Sequence, residues 1–410
     1  SLRLLHLTAE LPYAPGGTGG STRQFELLRR LVERGHEVVV AAPVPERLEL
    51  DTGAPEIMRR AGLDYRPLRR PPSRERELAA ALRRHPGLLA SLFTKPVVSW
   101  QFEAIWVGAR GAARRLAEEL RPDAITIEHD HLVSWSTAVD GLAPLVLSSQ
   151  NATWRLYESR ARSARGVRRP ALAAEALRYR RNVAAQLARF DLVVAVSRGD
   201  AEAFEELGAQ RVEVVPNGAN FEGTEARPPA AGPPTLLFTG SLDHPPNREA
   251  ALWLGHKIWP LVAGKLPDAR LVIAGRGPNE QLRRLLDDPR IEVTGPVPDM
   301  RPYFEAATAV AAPLRSGGGT RLKILEALAA GRPVVSTSVG AEGLELEPGR
   351  DLLVADGPAP FAAAAVRLLT DADLRDRLAQ AGRSRAEARY DWRAVGERFT
   401  AVLEAVALGS

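Results

Sequence analysis

A glycine-rich turn is the first feature of the sequence whose residue types could do chemistry. Residues 316–337 read SGGGTRLKILEALAAGRPVVST. Gly317, Gly318 and Gly319 predict a backbone that can pass close to a ligand, and Thr320 is the expected N-cap of the helix that follows. The unpaired amides and the dipole at a helix start favour an anion. The segment therefore predicts a phosphate site.

A lysine and a glutamate follow this turn on one face of the predicted helix. Lys323 and Glu326 are spaced i, i+3 and share that face with Ala327 and Ala330, which are small enough to leave room for a ligand. Only four of the 55 Lys and Arg residues are Lys, and an ammonium suits phosphate as a compact charge. The pattern indicates a phosphate and ribose site. The alternative is a solvated Lys–Glu pair on an ordinary helix.

Length and composition indicate how many domains the chain has and which class of protein it belongs to. A chain of 410 residues exceeds one ordinary core, so two domains of roughly 200 residues each are expected. The chain is 45% apolar and 26% charged, and no apolar run approaches the roughly 20 residues that span a bilayer. It contains no Cys, which excludes disulfides and Cys-ligated metals, and its start lacks a signal-peptide pattern. A cytoplasmic location is expected.

Short apolar runs alternate with helical patterns, which predicts parallel sheets. A capping box of Ser21 and Gln24 is predicted to begin the first helix, and the Pro- and Gly-rich segment 223–234 is predicted to be a linker. The predicted strands are 2–8, 37–41, 123–131, 145–151, 191–198 and 212–218 before it and 235–240, 270–275, 291–295 and 308–313 after it, with further helices at 247–266, 359–369, 373–388 and 392–408.

A polar cluster stands at the end of the strand predicted from residue 123. Glu128, His129, Asp130 and His131 follow its apolar residues, and this end of an open α/β sheet faces the ligand crevice. Adjacent residues of a strand point to opposite faces, so the four side chains are not expected to converge on a metal. A hydrogen-bonded structural role is the alternative for either imidazole.

Glu326 and the residues after it, ALAAGRPVVST, resemble the donor-site signature of family 4 of the retaining glycosyltransferases. The resemblance implies an α/β GT-B fold, in which two Rossmann-like doubly wound parallel-sheet domains face a cleft. It implies an N-terminal acceptor-binding domain over residues 1–222, a nucleotide-sugar-binding domain over 235–388 and a C-terminal helix over 389–410 that crosses back to the first domain.

The resemblance also implies roles for residues of the glycine-rich turn. In that family the second carboxylate of a Glu-x7-Glu pair binds the ribose of the nucleotide sugar, which implies this role for Glu326. The first carboxylate would fall where this chain has Gly318. The segment 241–247 lacks a cation in the expected places, so Arg321 and Lys323 are expected to stabilise the departing diphosphate. The other implied donor-site residues are Gly319, Thr320, Gly240, Arg276, Val297, Gly17 and Gly19; an ordinary surface Arg is the alternative for Arg276.

The acceptor side is implied to lie on the first domain. There the strand end at 128–131 would meet the donor sugar and the acceptor, which makes Glu128, His129 and His131 candidate catalytic residues beside Lys323 and Arg321. Asn151, Ser197 and Arg198 are candidates on the acceptor side, because each stands at the end of a predicted strand. The alternative for Ser197 is that it simply caps the next helix.

The charge of the chain is unevenly distributed. From Arg155 to Arg189 there are ten Arg and two Glu, with Tyr157 and Tyr179 among them and Trp154 directly before. Such a patch would attract an anionic lipid, a polyprenyl phosphate or another anionic acceptor, and a solvated helical face is the alternative. This patch predicts a peripheral position at the inner face of the membrane. No recognised nucleic-acid-binding module accompanies it, so nucleic acid is not an expected partner.

Together these features predict a metal-independent retaining glycosyltransferase that moves a hexose-type sugar from a nucleoside-diphosphate sugar to an acceptor hydroxyl, in glycan, glycolipid or cell-envelope synthesis. No cofactor is expected, because the nucleotide sugar is a co-substrate. The expected partners are this donor, a carbohydrate, lipid-linked or other hydroxyl acceptor, and an anionic membrane surface. One alternative is a GT-B nucleotide-sugar 2-epimerase. The other is a non-catalytic partner subunit that binds nucleotide sugar or membrane, which is considered because Gly318 replaces the first glutamate of the family signature.

Overall fold

The chain divides into two compact units. A computed structural model describes residues 1–14, 16–68, 94–106, 108–164, 166–221, 232–316 and 322–409. Unit 1 consists of Ser1–Pro216 with Val395–Ser410, and unit 2 is the continuous segment Asn217–Ala394. Each unit contains its own parallel sheet.

Unit 1 is built on a seven-stranded sheet in the order β3-β2-β1-β4-β5-β6-β7, with every described pairing parallel. The strand order reverses between β1 and β4, and such a switch point opens a crevice at the carboxyl ends of the strands. The strands are β1 Arg3–Leu7, β2 Glu37–Ala42, β3 Asp64–Pro67, β4 Ala124–Glu128, β5 Leu145–Ser149, β6 Leu192–Ala195 and β7 Val212–Val214.

Helices pack on the sheet of unit 1 because its central strands are largely apolar. In β4 all five residues are buried, as expected for a parallel strand covered on both faces. The helices are α1 Gly19–Glu33, α2 Glu46–Thr52, α3 Ala54–Arg60, α4 Val97–Ile105, α5 Ala109–Leu120, α6 Ser136–Val139, α7 Thr153–Ser163, α8 Arg168–Leu187 and α9 Arg198–Glu206, with a 3-10 turn at Asp130–Trp135.

Unit 2 repeats the design with a six-stranded parallel sheet in the order β10-β9-β8-β11-β12-β13. Its switch point lies between β8 and β11, which pair directly. The strands are β8 Thr235–Thr239, β9 Arg270–Ala274, β10 Ile291–Val293, β11 Ala309–Ala312, β12 Val334–Ser336 and β13 Leu353–Val354.

The helices of unit 2 include one with an irregular centre. The helix predicted over 247–266 is divided into α10 Pro245–Trp253, a π-helical turn Leu254–Ile258 and α11 Trp259–Ala263. Pro260 lacks the N–H that a continuous α-helix would need there, which accounts for the interruption. The others are α12 Glu280–Arg283, α13 Arg301–Ala306, α14 Leu322–Ala329, α15 Ser338–Ala341, α16 Pro358–Thr370, α17 Ala372–Tyr390 and α18 Trp392–Ala407, with a 3-10 turn at Arg284–Asp287.

Helix α18 begins in unit 2 and continues into unit 1. At its start the Asp391 carboxylate accepts hydrogen bonds from the amides of Arg393, at 2.8 Å, and Phe221, at 3.3 Å. Farther along, within unit 1, Glu404 pairs with His36 at 3.2 Å. The helix therefore has specific side-chain partners in each unit.

The predicted parallel strands are confirmed, with small differences at their ends. The capping box is wrong: Thr18 is the N-cap of α1 and accepts from the Ser21 amide. Ser21 lies inside the helix and bonds the Tyr13 amide at 3.0 Å, while Gln24 contacts buried His6. Among the described residues, no helix is both long and apolar enough to cross a membrane.

Candidate functional site

Loops that leave the carboxyl ends of β8 and β9 meet at the switch point of unit 2. The Gly240 amide bonds the carbonyl of Ala274 at 3.0 Å. Gly275 has φ +154°, and a Cβ at this residue would overlap the Gly240 carbonyl oxygen. Only glycine fits so close an approach of two backbones. The two loops therefore form a tightly packed backbone surface.

Lys323 lies against this surface from the first turn of α14, the helix that follows β11. Its Nζ is 2.8 Å from Oδ1 of Asn247 and 4.3 Å from the centre of the Phe238 ring. A Cβ added to Gly240 would be 3.0 Å from the same Nζ. The ammonium is thus held at the carboxyl end of β8, where an open α/β sheet binds its ligands. A compact cation in this position can stabilise a phosphate.

Glu326 lies one turn farther along α14 and is exposed. Surrounding protein atoms nevertheless desolvate its carboxylate, which raises its pKa, while the charge of Lys323 acts in the opposite direction. Lys323 and Glu326 therefore share one face of the helix, as their spacing predicts. A carboxylate here can accept hydrogen bonds from hydroxyl groups.

Arg276 is held within its own loop region. Its Nε donates to Ser241 Oγ at 2.9 Å, and Asp243 is 3.7 Å away. The hydroxyl of Ser241 also bonds Asp243 at 2.6 Å, and this bond is the main reason that the pKa of Asp243 is lowered. Arg276 links the loops after β8 and β9, and its side chain is half exposed. Val297 is half buried in the loop between β10 and α13.

Four predicted donor-site residues lie outside the described residues: Gly318, Gly319, Thr320 and Arg321. The described part of the helix begins at Leu322, so the predicted Thr320 cap stays a prediction. Lys323 and Glu326 are the residues of this group whose positions are described.

A second polar site lies at the switch point of unit 1. After β1 the chain forms the loop that contains Glu10 and Gly17, and it then enters α1 at Gly19. A Cβ on Gly17 would crowd Ser21 Oγ at 2.6 Å, and a Cβ on Gly20 would meet Glu10 Oε2 at 2.8 Å. Glycine at these positions lets the loop pack closely on the start of α1.

The predicted polar strand end is organised differently from an extended strand. Strand β4 ends at Glu128, His129 adopts φ +70°, and a 3-10 turn begins at Asp130. The chain thus leaves the sheet, so side chains point to alternate faces of the sheet only up to Glu128. His129 and His131 stack with ring centres 5.1 Å apart. Within the described part of the chain, no group of three His, Asp or Glu side chains is placed to hold a metal ion.

The members of this strand end have distinct environments. Glu128 is buried and accepts a hydrogen bond from Gln150 at 2.9 Å. Asp130 binds the amide and hydroxyl of Thr153 at 2.9 and 2.8 Å, and its burial raises its pKa to about 6. Burial lowers the pKa of His131 to about 3, so this imidazole is neutral at pH 7. His129 is half buried beside the loop after β1.

The candidate acceptor-side residues have local partners. Ser197 caps α9 by accepting from the Asp200 amide at 3.1 Å, which confirms the alternative reading of this residue as a cap. Arg198 is exposed and pairs with Glu202 on its own helix at 3.2 Å. Asn151 is half buried, and its carbonyl accepts from Ser149 at 2.8 Å.

The arginine-rich patch corresponds to helices α7 and α8. Three of its members pair with acidic residues: Arg155 with Glu206, Arg178 with Glu175 and Arg189 with Asp140. Val167 is 87% exposed and Leu177 46% exposed, so apolar side chains stand among the charges. Five further arginines of this patch are exposed: Arg162, Arg168, Arg169, Arg180 and Arg181. Arg165 lies outside the described residues.

Three functional candidates were not identified from the sequence. Asn247 holds Lys323, which lies 76 positions away. Glu10 contacts both Thr18 and His129. Arg23 is fully buried and donates to the carbonyls of Val215 and Pro216 at 2.7 Å each. The available signal for Glu10 was its position directly after a strand, before a glycine loop.

Several curated relatives of the chain are mannosyltransferases. It is 35% identical over 213 residues to the phosphatidyl-myo-inositol mannosyltransferase of Mycobacterium leprae, covering 50% of this chain and 56% of that protein. It is 32% identical over 160 residues to a GDP-mannose-dependent monoacylated alpha-(1-6)-phosphatidylinositol monomannoside mannosyltransferase of Corynebacterium glutamicum, covering 36% and 42%. The chain spans about half the length of the curated relatives it matches.

Solved structures share the fold over nearly the whole chain. Anabaena HepE in complex with UDP and glucose has a TM-score of 0.70 at 14% identity and covers 99% of this chain and 100% of that one. Sucrose-phosphate synthase from Thermosynechococcus elongatus has a TM-score of 0.69 at 14% identity, with 100% of both chains covered. At these identities the likeness shows the fold alone, and it confirms the predicted GT-B fold.

Two family models match successive parts of the sequence. The model for Glycosyl transferases group 1 matches residues 233–371, which include Gly240, Lys323 and Glu326. The model for Glycosyltransferase Family 4 matches residues 17–222, half of the chain. With the two Rossmann-like sheets, these matches establish that the chain belongs to glycosyltransferase family 4.

Proposed function

We propose that this chain transfers a hexosyl group from a nucleoside-diphosphate sugar to an acceptor hydroxyl, with retention of the anomeric configuration. The observation that carries the proposal is the position of Lys323, whose ammonium is held by Asn247 at the switch point of unit 2. Unit 2 would bind the nucleotide sugar and unit 1 the acceptor.

The relatives support a mannosyl donor. One relative is a phosphatidyl-myo-inositol mannosyltransferase, and another is described as GDP-mannose-dependent. We therefore propose GDP-mannose as the donor and an inositol-containing or other lipid-linked polyol as the acceptor. The product would belong to glycolipid or cell-envelope synthesis.

In the proposed reaction the bond between the anomeric carbon and the diphosphate oxygen breaks, and a bond to the acceptor oxygen forms on the same face. The acceptor proton moves to an oxygen of the departing diphosphate. The protein's main contribution would be electrostatic stabilisation of this leaving group. Lys323 and Arg321 would supply positive charge without a metal or cofactor.

The remaining donor-side residues would fix the nucleotide. Glu326 would accept hydrogen bonds from the ribose hydroxyls, and Gly240 would let the diphosphate approach the backbone. Gly318, Gly319 and Thr320 would surround the phosphates. Arg276 would reach the donor only by leaving Ser241, so its proposed part is to hold the loop after β8.

On unit 1, His129 would contact the donor sugar or the acceptor. Glu128 is buried with Gln150 and would act by fixing the strand end. Gly17 and Gly19 would leave space beside the substrates. The exposed arginines and apolar residues of α7 and α8 support peripheral binding at an anionic membrane surface, such as the cytoplasmic face of a membrane.

A purified sample of the chain tests this function. We expect GDP or GDP-mannose to raise the unfolding midpoint, because a ligand that binds only the folded state stabilises it. Adding phosphatidylinositol vesicles should release GDP and form a mannosylated lipid. Release of nucleoside diphosphate without acceptor would instead indicate the epimerase alternative, and binding without release would indicate the non-catalytic one. No midpoint shift with any nucleotide sugar would overturn the proposal.

A further inference from the structure

We infer that Glu10 is a positioning residue that holds the side chain of His129 by its Nε2 atom and leaves Nδ1–H available to an oxygen of the substrate. The inference rests on the proposed function, since it concerns how a transferase would use this imidazole. Both residues belong to unit 1 and lie at its switch point.

The contacts of Glu10 join three parts of unit 1. One carboxylate oxygen accepts the hydroxyl proton of Thr18, the N-cap of α1. The other, Oε2, lies 3.8 Å from Nε2 of His129, which is within ion-pair distance. A Cβ on Gly20 would be 2.8 Å from this Oε2, so a larger residue there would displace the carboxylate. Glu10 thus connects the loop after β1, the start of α1 and the end of β4.

The backbone of His129 is fixed in an uncommon conformation. Its φ of +70° and ψ of 142° lie in a region that residues other than glycine rarely adopt, at a cost of about 1–3 kcal/mol. Its amide donates to the Ser148 carbonyl at 2.8 Å. Such strain concentrates at functional sites, where the surrounding structure over-determines it. The conformation turns the chain out of the sheet and places the imidazole beside Glu10.

The two ring nitrogens of His129 have different surroundings. Nε2 faces Glu10, whereas Nδ1 has no hydrogen-bond partner among the residues that the structure describes. The side chain is 20% exposed, so a ligand can reach it. A carboxylate that holds one imidazole nitrogen fixes both the orientation of the ring and the position of its protons. In the protonated ring Nε2–H faces the carboxylate, and Nδ1–H would donate to a hydroxyl or phosphate oxygen.

The charged groups around His129 favour its protonated form. Burial lowers the pKa of His129, but the nearby carboxylates of Glu10, Glu128 and Asp130 outweigh burial and raise it. The other titratable neighbours are His131, stacked on the ring, and His6, which lies in β1 and interacts electrostatically with His129. Because the pKa is raised, the imidazolium persists to higher pH than an isolated histidine would.

The test is an NMR titration that measures the pKa of His129 in the full chain. The variant Glu10→Gln removes the carboxylate charge, while the amide oxygen of the new glutamine can still accept a hydrogen bond from Thr18. The chain has seven His, so His129→Gln assigns the signal of interest. Glu404→Gln is the matched control, because it removes the carboxylate that contacts Nε2 of His36 at 3.2 Å, elsewhere in unit 1. Glu10→Asp keeps a carboxylate and is expected to recover part of the effect.

We expect the pKa of His129 to fall in Glu10→Gln and to stay unchanged in Glu404→Gln. In transfer assays Glu10→Gln should lower kcat severalfold at neutral pH, because less of the imidazole is protonated, with KM little changed. The deficit should shrink as the pH is lowered and the imidazolium is restored. A purely structural role for Glu10 would not produce this recovery.

An unchanged His129 pKa in Glu10→Gln overturns the inference, and so does a lowered pKa that leaves the pH profile of transfer unaltered. The wild-type titration is decisive even if the variant does not fold, because a His129 pKa at or below the ordinary histidine value excludes the protonated imidazole whose Nδ1–H the inference requires. A wild-type chain that transfers no sugar overturns the proposed function instead, and the titration still decides whether Glu10 holds His129.

Discussion

The Lys323 ammonium and the Asn247 side-chain oxygen are 2.8 Å apart, although they belong to helices that follow different strands of unit 2. Asn247 is in turn fixed by donating to the Ser241 carbonyl at 3.0 Å. Because Asn247 is neutral, it orients the ammonium without neutralising it. Lys323 therefore keeps its positive charge beside this neutral partner.

Lys323→Ala should reduce sugar transfer by about 100- to 1,000-fold, as removal of one group that stabilises a charged leaving group typically does. The unfolding midpoint should change little, since Lys323 lies at the surface of the loops. Lys265→Ala is the matched control, because Lys265 is exposed in the same unit. Wild-type kcat in Lys323→Ala would remove this residue from the mechanism.

Asn247→Asp should weaken nucleoside-diphosphate binding by about tenfold or more, because a carboxylate beside Lys323 opposes the charge offered to phosphate. Calorimetric titration with GDP measures the effect, and Asn247→Ala serves as the neutral comparison. If the aspartate variant binds no more weakly than the alanine variant, the charge of Lys323 does not act on the nucleotide.

Glu326→Ala should lower nucleotide affinity by roughly 10- to 100-fold, the usual value of hydrogen bonds to a charged group. The loss should be smaller for a 2′,3′-dideoxynucleotide, which lacks the hydroxyls that Glu326 is proposed to bind. Glu292→Ala, an exposed change in the same unit, is the control. Equal losses for ribo- and dideoxynucleotides would contradict the ribose assignment.

Gly275→Ala should destabilise unit 2 by at least about 3 kcal/mol, since it combines a glycine-only conformation with a backbone overlap at Gly240. Gly349→Ala separates the two causes, because Gly349 has φ +82° but open space around it. That change should cost only about 1–2 kcal/mol. Urea unfolding measures both, and equal costs would show that the close approach of the loops is unimportant.

Asp130→Asn should change how stability depends on pH. The pKa of Asp130 is raised to about 6 from 3.8, so its protonated form stabilises the fold below about pH 4 and this contribution is lost as the pH rises through 6. It amounts to about 3 kcal/mol at most. The midpoint of the variant relative to wild type should therefore rise between pH 4 and 7, whereas Asp51→Asn, at an exposed site, should show no such trend.

The strands and the donor-side pair could be predicted because both depend on local sequence. Apolar runs such as Arg270–Ala274 fit only buried strands, and the spacing of Lys323 and Glu326 fixes their common face once the helix is recognised. The family signature extends over the same residues. These features required no knowledge of distant contacts.

The missed features depend on long-range contacts. Ser21 has the sequence pattern of a cap, but its hydroxyl bonds to the loop after β1, which leaves Thr18 to cap α1. Asn247 meets Lys323 only because β8 and β11 are neighbours in the sheet. His129 turns the chain out of β4 through a backbone angle that propensity rules assign to glycine. No local pattern encodes these pairings.

The division of α18 between the units has a consequence for biosynthesis. Unit 2 is a continuous segment, whereas unit 1 needs Val395–Ser410, which the ribosome makes after all of unit 2. Domains fold largely as units while the chain is being made. Unit 2 can thus mature first, and Ser1–Pro216 must wait for its last helix until Phe399 and Leu403, both buried in the finished fold, leave the exit tunnel.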